Sequence, residues 1–227
     1  MVEEFVDGTE LSVQAVARDG AAEILTLCEK LTTTEHDGPL YSFREAGHVA
    51  YPGAEVDARV RGFVDACVAA VGYANGPFHV DLIRGADGAL DLLEMGFRLS
   101  GMGITELIER TTGRDWGDDA LGAHLGERRA PVTAAPRPYT GQATLRHADE
   151  LAAAESLPST GGLRVEIQYL RPPTLPADWS AGVPESLRAD VTRHAAALAR
   201  VVIAAPDPTR VTRALETCLT TSAPVPV

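Results

Sequence analysis

The chain has 227 residues, 45% of them apolar and 23% charged, the balance of a soluble globular protein with one large core or two smaller ones. A net charge of −12 argues against a nucleic-acid surface and against an anionic membrane as partners. No apolar run approaches the ~18 residues of a membrane span, and no basic-then-apolar leader precedes Val2. Cys28, Cys67 and Cys218 lack C-x-x-C spacing, so reduced thiols in a cytoplasmic protein are expected.

In chain order, "MVEEFVDGTELSVQAVARDG" predicts a strand, a turn at Asp7-Gly8, a strand in which Leu11, Val13 and Ala15 alternate, a turn at Asp19-Gly20 and a further strand. "TTTEHDGPLYSFREAGHVAYPG" reads as loop, punctuated by Gly38-Pro39 and Pro52-Gly53. Val56, Val60, Phe63, Val64, Cys67, Val68 and Val71 recur with helical period, and Gly72 ends that helix. Two short helices are predicted after Gly103, the first over Ile104, Leu107, Ile108 and Thr111 up to Gly113, the second over "DWGDDALGAHLGE". Arg129 to Pro138 reads as a crossover, 139–170 as strands around a helical "ADELAAAE", and Pro172 to Pro184 as irregular. Asp207 caps a last helix with Pro208 at its first position, and "SAPVPV" is a frayed tail. Strands mixed with helices predict an α+β fold.

The stretch "FHVDLIRGADGALDLLEMGFRLSGMG" carries the most chemistry. Asp87-Gly88 predicts a two-residue hairpin turn with φ > 0 at both positions. Arg84 then faces Asp91, Ile83 faces Leu92, Leu82 faces Leu93 and Asp81 faces Glu94. Asp81, Ile83, Leu92 and Glu94 share one face, while Val80, Leu82, Leu93 and Met95 form the core face. Two carboxylates directly opposite are unfavourable. A proton on one acid, a cation between them, or a solvated sheet edge would each relieve the repulsion. Paired carboxylates with phosphate oxygens and water are a usual Mg²⁺ shell.

Arg98 lies four residues past Glu94, where a guanidinium can reach an anion. Gly96, Gly101 and Gly103 surround it and allow close backbone approach to a ligand. Glu45 and His48 flank a glycine in "FREAGHVAYPG" and could bind an amino group or pass a proton. His79 falls on the acid side, two residues before Asp81. Lys30 is the only lysine and follows no Gly-rich loop, and no G-x-S-x-G, H-E-x-x-H or Walker A pattern occurs.

Taken in order, "VEEFVDGTELSV", "REAGHVAYPG", "GPFHVDL" and "LLEMGFRLSGMGITELIERTTGRD" resemble the C-terminal half of the ATP-grasp domain of carboxylate–amine ligases, nearest to the L-amino-acid (dipeptide) ligases. The resemblance covers residues 2 to 126 and continues more weakly to 218. It implies an ATP-grasp-like C-terminal subdomain, with an antiparallel sheet and flanking helices, over 1–126, and a lid-like α+β extension over 127–227. It implies ATP and Mg²⁺ as cofactors. Glu3 with the backbone around Phe5 and Val6 would form the adenine hinge, and Glu10 would meet the ribose. Asp81 and Glu94 would hold Mg²⁺, Arg98 would stabilise an acyl phosphate, and Glu45 and His48 would bind substrate. The implied substrates are an amino acid or other carboxylate and an amine.

Two departures stand out. The pattern E-x-N-x-R here reads Glu94-Met-Gly96-Phe-Arg98, so one side-chain oxygen is missing. The match also starts at the adenine hinge, which leads to the expectation of a truncated or split enzyme, inactive alone and completed by a separate N-terminal ATP-grasp chain. The rival expectation is a non-catalytic remnant that serves as a binding module.

Overall fold

The computed structural model describes residues 4–37, 40–127, 137–171, 178–179, 181–184, 188, 191 and 196–219, with backbone alone over 33–37 and 40–44. Among the described residues, eight strands form a single sheet: β1 (Thr9–Arg18), β2 (Ala21–Asp37), β3 (Leu40–Pro52), β4 (Gly76–Arg84), β5 (Leu90–Gly96), β6 (Tyr139–Leu145), β7 (Arg164–Tyr169) and β8 (Ala199–Ala205). Their order is β5-β4-β1-β2-β3-β6-β8-β7, and every neighbouring pair is antiparallel. The helices are α1 (Ala58–Val71), α2 (Ile104–Thr112), α3 (Trp116–His124), α4 (Ala148–Glu155) and α5 (Pro208–Leu219). This is the α+β architecture expected, and the sheet continues across residue 126 because β6 pairs with β3. Among the described residues, no helix is long and apolar enough to cross a membrane.

Alternation decides what each face of the sheet meets. Leu11, Val13 and Ala15 of β1 point to one face and pack with Val60, Val64 and Val68, the buried stripe of α1. Asp57 opens α1 by accepting from the N–H groups of Arg59 and Val60, and Gly72 closes it in the left-handed region at φ 65°. Further along this face α5 lies on β6, close enough that a Cβ on Gly141 would stand 2.6 Å from Val211 and 2.7 Å from Leu215. On the opposite face α2 and α3 bury Ile104, Leu107, Ile108 and Trp116 against Val16, Leu25, Cys28 and Ala50. The Trp116 indole N–H donates to the Ala15 carbonyl at 3.0 Å. That cover meets β1 at Val16, toward its C-terminal end, and leaves Glu10 at the other end of the strand partly exposed.

Four expectations are corrected. Residues 4–7 form no strand, for they have no ladder partner among the described residues. The stretch read as loop from Thr32 is the long β2–β3 hairpin, whose β-branched threonines suit a pleated ladder; its Gly38 and Pro39 lie outside the described residues. Strand β8 was not anticipated: a central strand buried on both faces shows a continuous apolar run, not alternation. The crossover at 128–136, most of 172–180 and the tail from 220 also lie outside the described residues.

The fourth correction concerns the β4–β5 turn. Gly85 N–H donates to the Ala89 carbonyl and Gly88 N–H to the Gly85 carbonyl, both at 2.9 Å, and only Gly88 of the turn has positive φ. This is a three-residue loop with glycine at its left-handed position. The ladder therefore starts one residue out of the expected register, pairing Arg84 with Leu90, Ile83 with Asp91 and Leu82 with Leu92. A bulge at Leu93 then restores the pairing of Asp81 with Glu94. Leu93 is 49% exposed and is not core. Because α5 depends on close approach at Gly141, Gly141→Ala should cost about 1–3 kcal/mol of stability by urea denaturation; an unchanged midpoint would contradict this packing.

Candidate functional site

The even-numbered side chains of β1, Glu10, Ser12 and Gln14, face away from α1 and continue across the sheet as one polar row. Register places Asp81 beside Ser12, Lys30 beside His48, and His48 beside Gln142. Gln14 Nε2 donates to Ser12 Oγ at 2.8 Å, and Thr26 Oγ1 donates to Gln14 Oε1 at 2.8 Å. Ser12 Oγ donates to Asp81 Oδ1 at 2.5 Å. These buried groups satisfy one another and fix the floor of the row.

At its centre stands Lys30. Its Nζ lies 2.6 Å from Glu10 Oε1, 2.8 Å from Asp81 Oδ2 and 3.2 Å from Glu45 Oε2. The three acids come from β1, β4 and β3, and the lysine from β2 between them. His48 Nε2 lies 3.0 Å from the other oxygen of Glu45. Burial works against the Glu45 carboxylate, but His48 and Lys30 together outweigh it and hold its pKa at about 2. Burial also works against the Lys30 ammonium, and its hydrogen bonds to Asp81 and Glu10 outweigh that and push its pKa up. Cys28, beneath the same row, is pushed up to about 12 chiefly by burial and is no nucleophile.

Asp81 and Glu94 are register partners and so share a face. Glu94 has 60% of its side chain exposed, and His79 Nε2 lies 3.2 Å from its Oε1. His79 is buried on the acid side, as expected, with Nδ1 3.4 Å from the Arg98 carbonyl. A Cβ at residue 96 would fall on this imidazole, so glycine there gives the ring its place. Arg98 follows β5 with an exposed guanidinium that donates to the Leu99 carbonyl at 3.1 Å. Phe5 is 72% exposed and Val6 partly buried, while Glu3 lies outside the described residues.

The structure thus gathers Glu10, Glu45, His48 and Asp81 into one bonded network, with Glu94 next to Asp81 across the ladder. The Arg98 guanidinium turns to the Leu99 carbonyl instead, and only its backbone carbonyl meets His79. Sequence reasoning missed Lys30 as the hub and Ser12, Gln14, Thr26 and Gln142 as its supports. Their sign was present in the polar alternation of "ELSVQ" and "TLCEK", opposite the apolar positions used to define the strands.

The donor set suits a hard cation held jointly with phosphate oxygens. Among the described residues, no group of three or more His, Cys, Asp or Glu side chains is placed to form an all-protein cage. Mg²⁺ is usually bound through one or two carboxylates, with phosphates and water completing its shell, and Asp81 and Glu94 supply two. Asp81 already accepts from Ser12 and Lys30, so any ion there would meet a carboxylate held in place and not a free side chain.

The depressed pKa of Glu45 has a sign. Its carboxylate contributes stability in full above the ordinary value of 4.5, and that contribution is lost as pH falls toward about 2. Urea midpoints of the native chain and of Glu45→Gln should therefore converge over that acid range; a constant gap would show that Glu45 is not held ionised by its neighbours.

The sequence pattern described as "ATP-grasp domain" matches residues 1–106. Comparison with curated proteins finds no significant match. Among solved structures, the chain is similar to the L-amino acid ligase from Bacillus licheniformis, with a TM-score of 0.61 and 18% identity over 95% of this chain and 53% of that one. It is similar to the phosphoribosylaminoimidazole carboxylase ATPase subunit from Aquifex aeolicus, with a TM-score of 0.59 and 13% identity over 96% of this chain and 57% of that one. The biotin carboxylase domain of the Hydrogenobacter thermophilus 2-oxoglutarate carboxylase, solved with MgADP, ADP and bicarbonate, gives a TM-score of 0.55 and 14% identity over 96% and 46%. The chain spans about half the length of these structures. Residues 1–106 match the ATP-grasp domain pattern, and the chain as a whole shares the fold of these solved structures.

Proposed function

We propose that this chain supplies the Mg²⁺·ATP- and substrate-binding face of an ATP-dependent carboxylate–amine ligase of the amino-acid ligase kind. The observation that carries this reading is the convergence of Glu10, Glu45 and Asp81 on Lys30, with Glu94 beside Asp81 on the same face. In this reading Glu3, Phe5 and Val6 border the adenine and Glu10 accepts from the ribose hydroxyls. Asp81 and Glu94 would hold Mg²⁺, which when bound neutralises phosphate charge. Glu45, kept ionised beside His48, accepts from a substrate amine. Arg98, exposed past the end of β5, swings onto the acyl phosphate or substrate carboxylate.

The reaction has two displacements. A carboxylate oxygen attacks the γ-phosphorus and ADP leaves; an amine then attacks the acyl carbon and phosphate leaves. The protein's share is positioning and charge neutralisation. Residues 127–227 extend the sheet through β6, β8 and β7 and would serve as the lid-like part. The phosphate-covering part would come from the half of the fold that this chain does not span, as a separate segment or chain, so the chain alone is inactive in ligation. The cytoplasm, where ATP and reduced thiols coexist, is the fitting compartment.

A second reading, a non-catalytic binding module, is favoured by one observation: residue 96 offers no side-chain oxygen, and the His79 imidazole stands in that space. Calorimetric titration separates the two. Mg²⁺·ATP should bind the chain, and Asp81→Asn or Glu94→Gln should weaken binding about tenfold or more, without ADP release in either case. A response to Mg²⁺·ATP indifferent to Asp81→Asn would support the remnant, and Glu94-dependent ADP production by the chain alone would overturn its inactivity.

A further inference from the structure

Lys30 is the single lysine of the chain, and only 6% of its side chain is exposed. An ammonium has three hydrogens and accepts nothing. Three carboxylates stand around it at 2.6, 2.8 and 3.2 Å, so each hydrogen has a partner. In the reading above, which this inference rests on, each carboxylate serves a different part of the site: Glu10 the ribose, Asp81 the ion, Glu45 the amine. The strands that carry them are neighbours in the order β4-β1-β2-β3, so the contact needs no long-range movement.

We propose that Lys30 couples the nucleotide end of the site to the substrate end, as a positioning residue that shares its hydrogen bonds among these three acids. A ligand that draws one carboxylate toward itself frees a hydrogen, and the ammonium moves closer to the remaining two. A divalent ion at Asp81 repels the ammonium toward Glu10 and Glu45. An amine at Glu45 sends it toward Glu10 and Asp81, where it opposes the ion. Coupling of this kind is reciprocal, so the ion must affect the amine by the same factor.

A single lysine makes the test direct. With ¹⁵N-labelled lysine, Lys30 gives the only side-chain ammonium resonance of the native chain. Glu10→Gln, Glu45→Gln and Asp81→Asn should each move it, and so should Mg²⁺·ATP. Affinity for Mg²⁺·ATP is then measured in the native chain, Glu45→Gln, Lys30→Met and the double variant. With Lys30 present, Glu45→Gln should change that affinity about fivefold or more; with Met at 30 the factor should be clearly smaller, because only the direct effect of the Glu45 charge, common to both backgrounds, remains. Equal factors in the two backgrounds overturn the coupling. Should Lys30→Met not fold, the resonance decides: a shift on adding Mg²⁺·ATP that is unaltered by Glu45→Gln overturns it, and an altered one supports it. No binding of Mg²⁺·ATP by the native chain would defeat the functional reading itself, which is a different result from binding without coupling.

Discussion

The ammonium of Lys30 stands within hydrogen-bond distance of carboxylates from three other strands. Three like charges would otherwise repel across neighbouring strands, and one buried cation lets them share a small space. Three carboxylates against one ammonium still leave two negative charges on that patch, with Glu94 adding another across the ladder. Such a surplus is poorly balanced by the chain itself and is suited to a divalent ion arriving with polyanionic phosphate. Ser12, itself held by Gln14, fixes Asp81 in position, so that part of the geometry exists before any ligand binds.

Why these residues meet follows from the sheet. Alternation sends the odd positions of β1 to α1 and the even ones to the polar row, and the antiparallel register repeats the division on each neighbour. Helices α2 and α3 then seal part of the polar face with Ile104, Leu107 and Trp116, and leave the rest accessible. The core on the far side, from α1 to α5, packs apolar side chains against the back of the sheet.

Much of this was legible beforehand. The helices α1, α2, α3, α4 and α5 were readable beforehand: Gly72 ends α1, "ADELAAAE" is α4, and Asp207 with Pro208 opens α5. The acid pair was placed correctly for a reason only half understood. The turn is one residue longer than Asp87-Gly88 suggested, and the bulge at Leu93 compensates, so Asp81 still meets Glu94. Periodicity cannot reveal a bulge, because the inserted residue breaks the pattern it is read from. Strand β8 escaped notice because a strand buried on both faces does not alternate, and the β2–β3 hairpin because a Gly-Pro pair in the sequence reads as loop. Lys30 was invisible as a hub for another reason: its partners are separated from it by between fifteen and fifty-one residues, and only the strand order unites them.

The account stands on Asp81 and Glu94 sharing one divalent ion with nucleotide phosphate. A crystal structure of the chain soaked with Mn²⁺ and a non-hydrolysable ATP analogue addresses this directly, since manganese is located by its anomalous scattering. The account predicts a peak between the two carboxylates, with phosphate oxygens on the ion's open side and Lys30 drawn toward Glu10 and Glu45. A nucleotide bound with its ion elsewhere, and Glu94 engaged by His79 alone, would contradict it.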